Sequence, residues 1–300
     1  MVELFHIGGI SIHLFGITIA LGILAGIKVM LTEGRRKGLD KYPLFDLGLY
    51  TVFAGLVGAR INYILAFNLS YYLEHPVRIF MIQQGGLSIQ GGLIAGAAFA
   101  FWYMRKHQIP LWKTADTFAP GIILGQAIGR IGCDVFGVPM EQEWPWGIEF
   151  MGNIVHPVQI YEVILNFALF LLLWHKRKSI EYEGQLFIYY IIGFSLNRFI
   201  VEFFRTNPLV FGQISIAHLY SAGMIIAALI AKEFLKKRSR KRIQAQKVTQ
   251  KKGNKDLKNK DLTSGKENTA GSFLDLKVTG MVVFGTILAV VFYYWVHSTF

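Results

Sequence analysis

Charge is scarce in this chain. Only 17% of its 300 residues are charged, and the acidic side chains number 19. A chain disordered throughout would also lack the 24 Phe and 13 Tyr found here. A single cysteine, Cys133, excludes an internal disulfide framework. With that cysteine alone and no two histidines at ligand spacing, the sequence carries no metal-ligand cluster. A phosphate-cradling GxxxxGK[ST] loop is missing too, and the stretch Gly85–Gly96 lacks the strand context of a nucleotide loop. No Lys or Arg stands between Met1 and His13, so the start does not read as a secretory signal peptide.

What the chain does have is apolar sequence in long runs. Hydrophobic residues make up 53%, and the mean hydropathy is +0.41. A soluble two-domain enzyme does not fit this profile. Against it stands a formal charge of +12. A basic, apolar chain is either a membrane protein with charged loops or a nucleic-acid binder with an unusual core. The position of the charge decides. Lys232 to Lys277 holds 15 Lys and Arg against 5 Asp and Glu, a net of +10, so the rest is nearly neutral. No nucleic acid is expected as a partner.

Spans of roughly 20 apolar residues cross a bilayer as helices. The sequence offers seven, near 12–32, 44–67, 86–104, 114–134, 157–174, 184–204 and 214–231. An eighth, near 278–296, stands beyond the basic tail. The expected fold is an all-α polytopic membrane protein. Residues 1–235 form a seven-helix bundle, 236–276 a disordered basic linker, and 277–300 an additional transmembrane helix. Loops after spans one, three and five hold Arg35, Arg36, Lys37, Lys41, Arg105, Lys106, Lys113, Lys176, Arg177 and Lys178; the opposite side holds only Arg78 and Arg205. The positive-inside rule puts the N-terminus outside and the tail in the cytoplasm. Glycines four apart, at Gly22/Gly26, Gly92/Gly96 and Gly121/Gly125, suit close helix packing.

Ionisable groups inside the spans carry the functional signal. Lys28 can snorkel to the inner interface. Arg60, Arg130 and Arg198 each fall in the second half of a span running outward, so all three lie at outer-leaflet depth. Mid-membrane arginine costs about 2.5–3.5 kcal/mol on insertion scales, and such groups are commonly functional. His13 and Gln90 fall near the outer starts of spans one and three. His156, Gln159, Tyr161 and Glu162 fall at the start of span five. A polar site facing outward follows. Arg198, Glu202 and Arg205 stand four and three apart, a spacing that also suits a purely structural ion-pair trio. A lipid phosphate is an economical ligand for the planar fork of Arg130.

The stretches GGLSIQGG (Gly85–Gly92), GRIGC (Gly129–Cys133), PWG (Pro145–Gly147), HPVQIYE (His156–Glu162) and RFIVEFFR (Arg198–Arg205) resemble the prolipoprotein diacylglyceryl transferases of bacterial membranes. The resemblance covers roughly residues 6–231. It implies seven transmembrane helices with the N-terminus outside, in agreement with the loop charges. It also implies transfer of the diacylglyceryl group of phosphatidylglycerol to the lipobox cysteine of an exported prolipoprotein. A thioether forms and glycerol phosphate leaves, with no cofactor and no metal. The location would be the bacterial cytoplasmic (inner) membrane, with the site facing the outer leaflet. On this resemblance Arg130 and Arg198 hold the lipid phosphate and act in catalysis. Arg60 and Tyr63 form a headgroup-binding pair, and Glu202 and Arg205 the polar pair of span six. His13, His156, Gln159 and Glu162 join them as phosphatidylglycerol-binding residues.

Several positions depart from the family pattern. Gln90 stands where the family often has a histidine, the leading candidate for thiol base, and an amide cannot be a general base at neutral pH. Gln90 is then expected to orient the lipid or the incoming cysteine. Cys133 and Val138 stand where an Asn and an acidic residue are common, and Phe15 and Phe194 where tyrosines are frequent. The basic tail, outside the resemblance, is expected to rest on anionic lipid or to fix topology. Two other functions fit parts of the pattern. One is a divergent, inactive member that binds anionic phospholipid; the other is a small-anion transporter.

Overall fold

The computed structural model describes residues 3–7, 10–67, 69–82 and 85–256. Helices dominate. Strands β1 (Glu3–Ile7) and β2 (Ile10–His13) form an antiparallel hairpin that leads into α1 (Leu14–Arg36). Then come α2 (Lys41–Phe67), the short α3 (Leu69–Glu74), a 3-10 turn (Pro76–Phe80), α4 (Ile89–Lys106) and α5 (Leu111–Arg130). A second hairpin, β3 (Ile148–Phe150) with β4 (Asn153–Val155), precedes α6 (Val158–Lys176) and α7 (Gln185–Glu202). A third, β5 (Leu209–Phe211) with β6 (Ile214–Ser215), opens into α8 (Ile216–Asp256).

Each of the seven spans read from the sequence falls on one of these helices. Four of them, α1, α2, α6 and the Ile216–Lys241 part of α8, are long and apolar enough to cross a membrane. The chain is thus an α-helical membrane protein with three small two-stranded hairpins, which hydropathy did not announce. The expected eighth span, 278–296, lies outside the described residues. So does the linker beyond residue 256. The part of that linker between 236 and 256 is helix, where disorder was expected. Lys, Arg, Gln and Ala are good helix formers, and this stretch contains no proline.

Two compact units divide the chain, Ile27–Thr117 and the remainder (Met1–Gly26 with Phe118–Phe300). In the larger unit, Ala119, Ile123 and Ala127 form a fully buried stripe along α5 at four-residue spacing. Ala127 packs on Val163 and Phe167 of α6, with Leu124, Ile128 and Ile131 around them. Further down α6, Phe170, Leu173 and Trp174 continue its buried face. The cluster sets the end of α5 against the start of α6.

Helix α1 approaches α5 through glycines on both sides. A methyl group on Gly22 would sit 2.6 Å from the Gly125 carbonyl oxygen, and one on Gly121 would sit 2.6 Å from that of Gly26. The pairs Gly22–Gly125 and Gly26–Gly121 give an antiparallel register with backbones in contact. Gly22→Leu is therefore expected to lower stability by about 2–3 kcal/mol, since neither neighbour is a side chain that can rotate away. Thermal unfolding in detergent checks this: a fall in midpoint is expected, with an unchanged midpoint as the contrary result.

Candidate active site

The site forms where α5 and α7 end and α6 begins. Arg130 is the last residue of α5, Glu162 lies in the opening turns of α6, and Arg198 and Glu202 lie in the closing turn of α7. Cations at helix C-termini and an anion near an N-terminus each suit the helix dipole. The interior groups are the carboxylates. Glu162 pairs with three arginines: Arg130 Nε at 2.5 Å, Arg205 Nη1 at 3.2 Å and Arg198 Nη1 at 3.3 Å. Glu202 takes Arg198 Nη2 at 2.9 Å and lies 3.8 Å from Arg205 Nε. It also accepts from Asn207 Nδ2 at 2.6 Å and from Ser215 Oγ at 2.7 Å. The ion-pair trio read from the sequence is present, and Arg130 is joined to it through Glu162.

Exposure shows which way this cluster faces. The carboxylate side chains are 8% and 0% exposed, whereas those of Arg130, Arg198 and Arg205 are 33%, 27% and 18% exposed. Three guanidinium groups thus rest on two buried carboxylates. Planar forks held by buried acids and left partly open suit a phosphate oxygen. Cys133 lies beside Arg130, its Sγ 3.9 Å from Nη1 and 3.5 Å from the Gly129 carbonyl it donates to.

Backbone pairing fixes the surroundings. The amide of Gly137 donates to the His156 carbonyl, that of Val138 to Phe204, and that of His156 back to Val138. This lacing ties the segment before α6 to the end of α7. The His156 imidazole lies 3.0 Å from the Tyr161 hydroxyl, which also accepts from Trp146 Nε1 at 3.2 Å. Burial holds the His156 pKa below the ordinary histidine value, favouring its neutral form. Gln159, one turn before Glu162, is fully buried. His13 ends β2, opposite Glu3.

The remaining expected residues lie in the unit Ile27–Thr117. Arg60 is buried and donates to four backbone carbonyls: Nε to Ile79, Nη1 to Gly85 and Gly86, and Nη2 to Arg78. Its guanidinium also lies over the Tyr72 ring at 5.1 Å. These bonds hold the loop that follows α3 against Arg60, the residue expected with Tyr63 to bind the headgroup. Gly85 and Gly86 have φ of +86° and +80°, a conformation open to glycine at little cost. A methyl group on Gly86 would also strike Arg60 and Tyr63. Gln90 accepts from Ser88 Oγ at 2.9 Å, and Ser88 accepts from Asn62 Nδ2 at 2.7 Å.

Sequence reasoning missed Asn207, Ser215, Asn62 and Ser88. Asn207 had one signal, a short polar residue just past the last arginine of RFIVEFFR. Ser215 had none, since the β5–β6 hairpin brings it back to Glu202. Among the described residues, no group of three or more His, Cys, Asp or Glu is placed to hold a metal ion.

Residues 2–232 match the family described as prolipoprotein diacylglyceryl transferase. A phosphatidylglycerol–prolipoprotein diacylglyceryl transferase of Clostridioides difficile (strain 630) is 36% identical over 241 residues, covering 80% of this chain and 97% of that protein. Proteins of the same name from Bacillus cytotoxicus and Bacillus cereus (strain 03BB102) are 36% and 35% identical, each over 75% of this chain and 88% of their own length. The motifs that carry the arginines and glutamates of the site all lie inside the matched residues, and the chain belongs to the prolipoprotein diacylglyceryl transferase family.

Proposed function

We propose that this chain transfers the diacylglyceryl group of phosphatidylglycerol to the lipobox cysteine thiol of exported prolipoproteins. The observation that carries the reading is the three part-exposed arginines anchored on buried Glu162 and Glu202. The cysteine sulfur attacks the diacylglycerol carbon that bears the phosphate. A C–S bond forms, the C–O bond to phosphate breaks, and glycerol phosphate leaves. In the overall balance the thiol proton ends on the leaving phosphate. Negative charge builds there in the transition state, and prepositioned guanidinium groups stabilise it without reorganising. Arg130 and Arg198 hold the phosphate, and Glu162, Glu202 and Arg205 fix their forks.

Arg60 and Tyr63 shape the Gly85–Gly86 loop, and Gln90 orients lipid or thiol through the Ser88 contact. His13 and His156 complete the headgroup side. The chain crosses the bacterial inner membrane seven times between residues 12 and 231, with the N-terminus outside and the site at outer-leaflet depth. The loop charges support that orientation. The basic tail rests on anionic lipid.

The test is direct. Purified protein in phosphatidylglycerol vesicles is expected to add one diacylglyceryl mass to a lipobox peptide, read by mass spectrometry. Vesicles of phosphatidylcholine alone should give none. Gln90, in place of a base, favours a second reading: an inactive member that binds anionic phospholipid. That reading predicts lipid binding without any gain in peptide mass.

A further inference from the structure

Gln159 is the second residue of α6, three before Glu162. It is 0% exposed, yet neither its Oε1 nor its Nε2 has a hydrogen-bond partner among the described residues. Buried amides are normally paired, and one left open needs an explanation. Its neighbours on the helix supply the context. Three residues of α-helix advance about 4.5 Å and turn about 60° short of a full circle, so Gln159 and Glu162 share a face. On the orientation proposed above, in which α6 runs inward from the outer side, Gln159 lies on the headgroup side of the three-arginine cluster.

A carboxamide offers one acceptor oxygen and two donor hydrogens. The glycerol headgroup of phosphatidylglycerol has two hydroxyls, each able to donate and to accept, just beyond the phosphate. An ethanolamine headgroup presents only ammonium donors, and a choline headgroup no N–H or O–H at all. We propose that Gln159 pairs with the headgroup hydroxyls and makes the site selective for glycerol. The proposal rests on the function given above. A buried polar group that only its substrate satisfies rejects analogues lacking the matching hydroxyl far more strongly than an apolar pocket could.

The experiment compares wild-type chain with Gln159→Met, using phosphatidylglycerol and phosphatidylpropanol, which keeps the phosphate diester but lacks both hydroxyls. Transfer to a lipobox peptide and equilibrium binding to vesicles of each lipid are both measured. Wild type is expected to favour phosphatidylglycerol at least tenfold. Gln159→Met should lose most of that preference, by a tenfold fall with phosphatidylglycerol and less than a twofold change with phosphatidylpropanol. Its melting temperature should equal or exceed that of wild type, because an unpaired amide gives way to an apolar side chain of similar length.

Preference retained in the variant would overturn the proposal. So would an equal loss with both lipids accompanied by a lower melting temperature, which marks a structural amide. A change confined to the KM of the peptide would assign Gln159 to the polypeptide instead. Transfer failing in wild type while lipid selectivity persists in binding would sink the reaction and leave the headgroup reading standing.

Discussion

Arg130→Ala and Arg198→Ala are each expected to cut lipid transfer by about 10³-fold or more, with the protein still folded. Removing one donor from a preorganised anion site costs about 10²–10³ in rate. Here each substitution also removes the shortest ion pair of a buried carboxylate: Glu162 loses its 2.5 Å contact with Arg130, or Glu202 its 2.9 Å contact with Arg198. The carboxylate charge that Arg130 or Arg198 balanced is then less well compensated, which disfavours an anion beside it. Arg→Lys at either position should recover only part of the loss, because an ammonium cannot grip a carboxylate and a phosphate oxygen with one planar fork. Transfer to a labelled lipobox peptide reads the rate, and circular dichroism with thermal melting reads the fold. Full activity in both alanine variants, with normal folding, would remove the phosphate site.

The arginines stood out in the sequence because a bilayer makes charge expensive, so each one within a span demanded a reason. Hydropathy placed the seven long helices in the same way, though not the short α3, since apolar runs of span length have few other uses. Neither argument sees pairing between distant segments. Glu162 and Arg198 are 36 positions apart and Glu162 and Arg205 are 43 apart, so no helical spacing links them. The packing of Ala127 on Val163 and the backbone lacing of Gly137 and Val138 to His156 and Phe204 bring those charges together. Arg60 shows the converse limit. Its depth and type matched those of Arg130, and yet four carbonyls of a nearby loop take its donors. Hydropathy records the cost of burying an arginine but is blind to what satisfies it. The helix between residues 236 and 256 escaped for a related reason, because composition reports solvation and backbone conformation separately.

Glu162→Gln should be the most damaging single change to stability at the site. The substitution is nearly isosteric, so packing against Val163 and the α5 stripe is kept and only charge is lost. Arg130, Arg198 and Arg205 would lose the carboxylate they share, and the cluster would gain one net positive charge. Breaking a buried ion pair costs about 3–5 kcal/mol; the partial exposure of the three guanidinium groups brings the expected loss to about 3 kcal/mol. A lower melting temperature in detergent would show it. The excess charge also makes a second, opposite expectation. An anion that binds the folded state stabilises it by mass action, and the variant has more to gain from one. Phosphatidylglycerol or glycerol phosphate should therefore raise the melting temperature of Glu162→Gln more than that of wild type, whereas uncharged diacylglycerol should not. Equal shifts in the two proteins would mean that Glu162 does not balance the charge of a phosphate site. Transfer activity should stay low even where stability is recovered, because the Arg130 fork would no longer be held in place by its 2.5 Å contact.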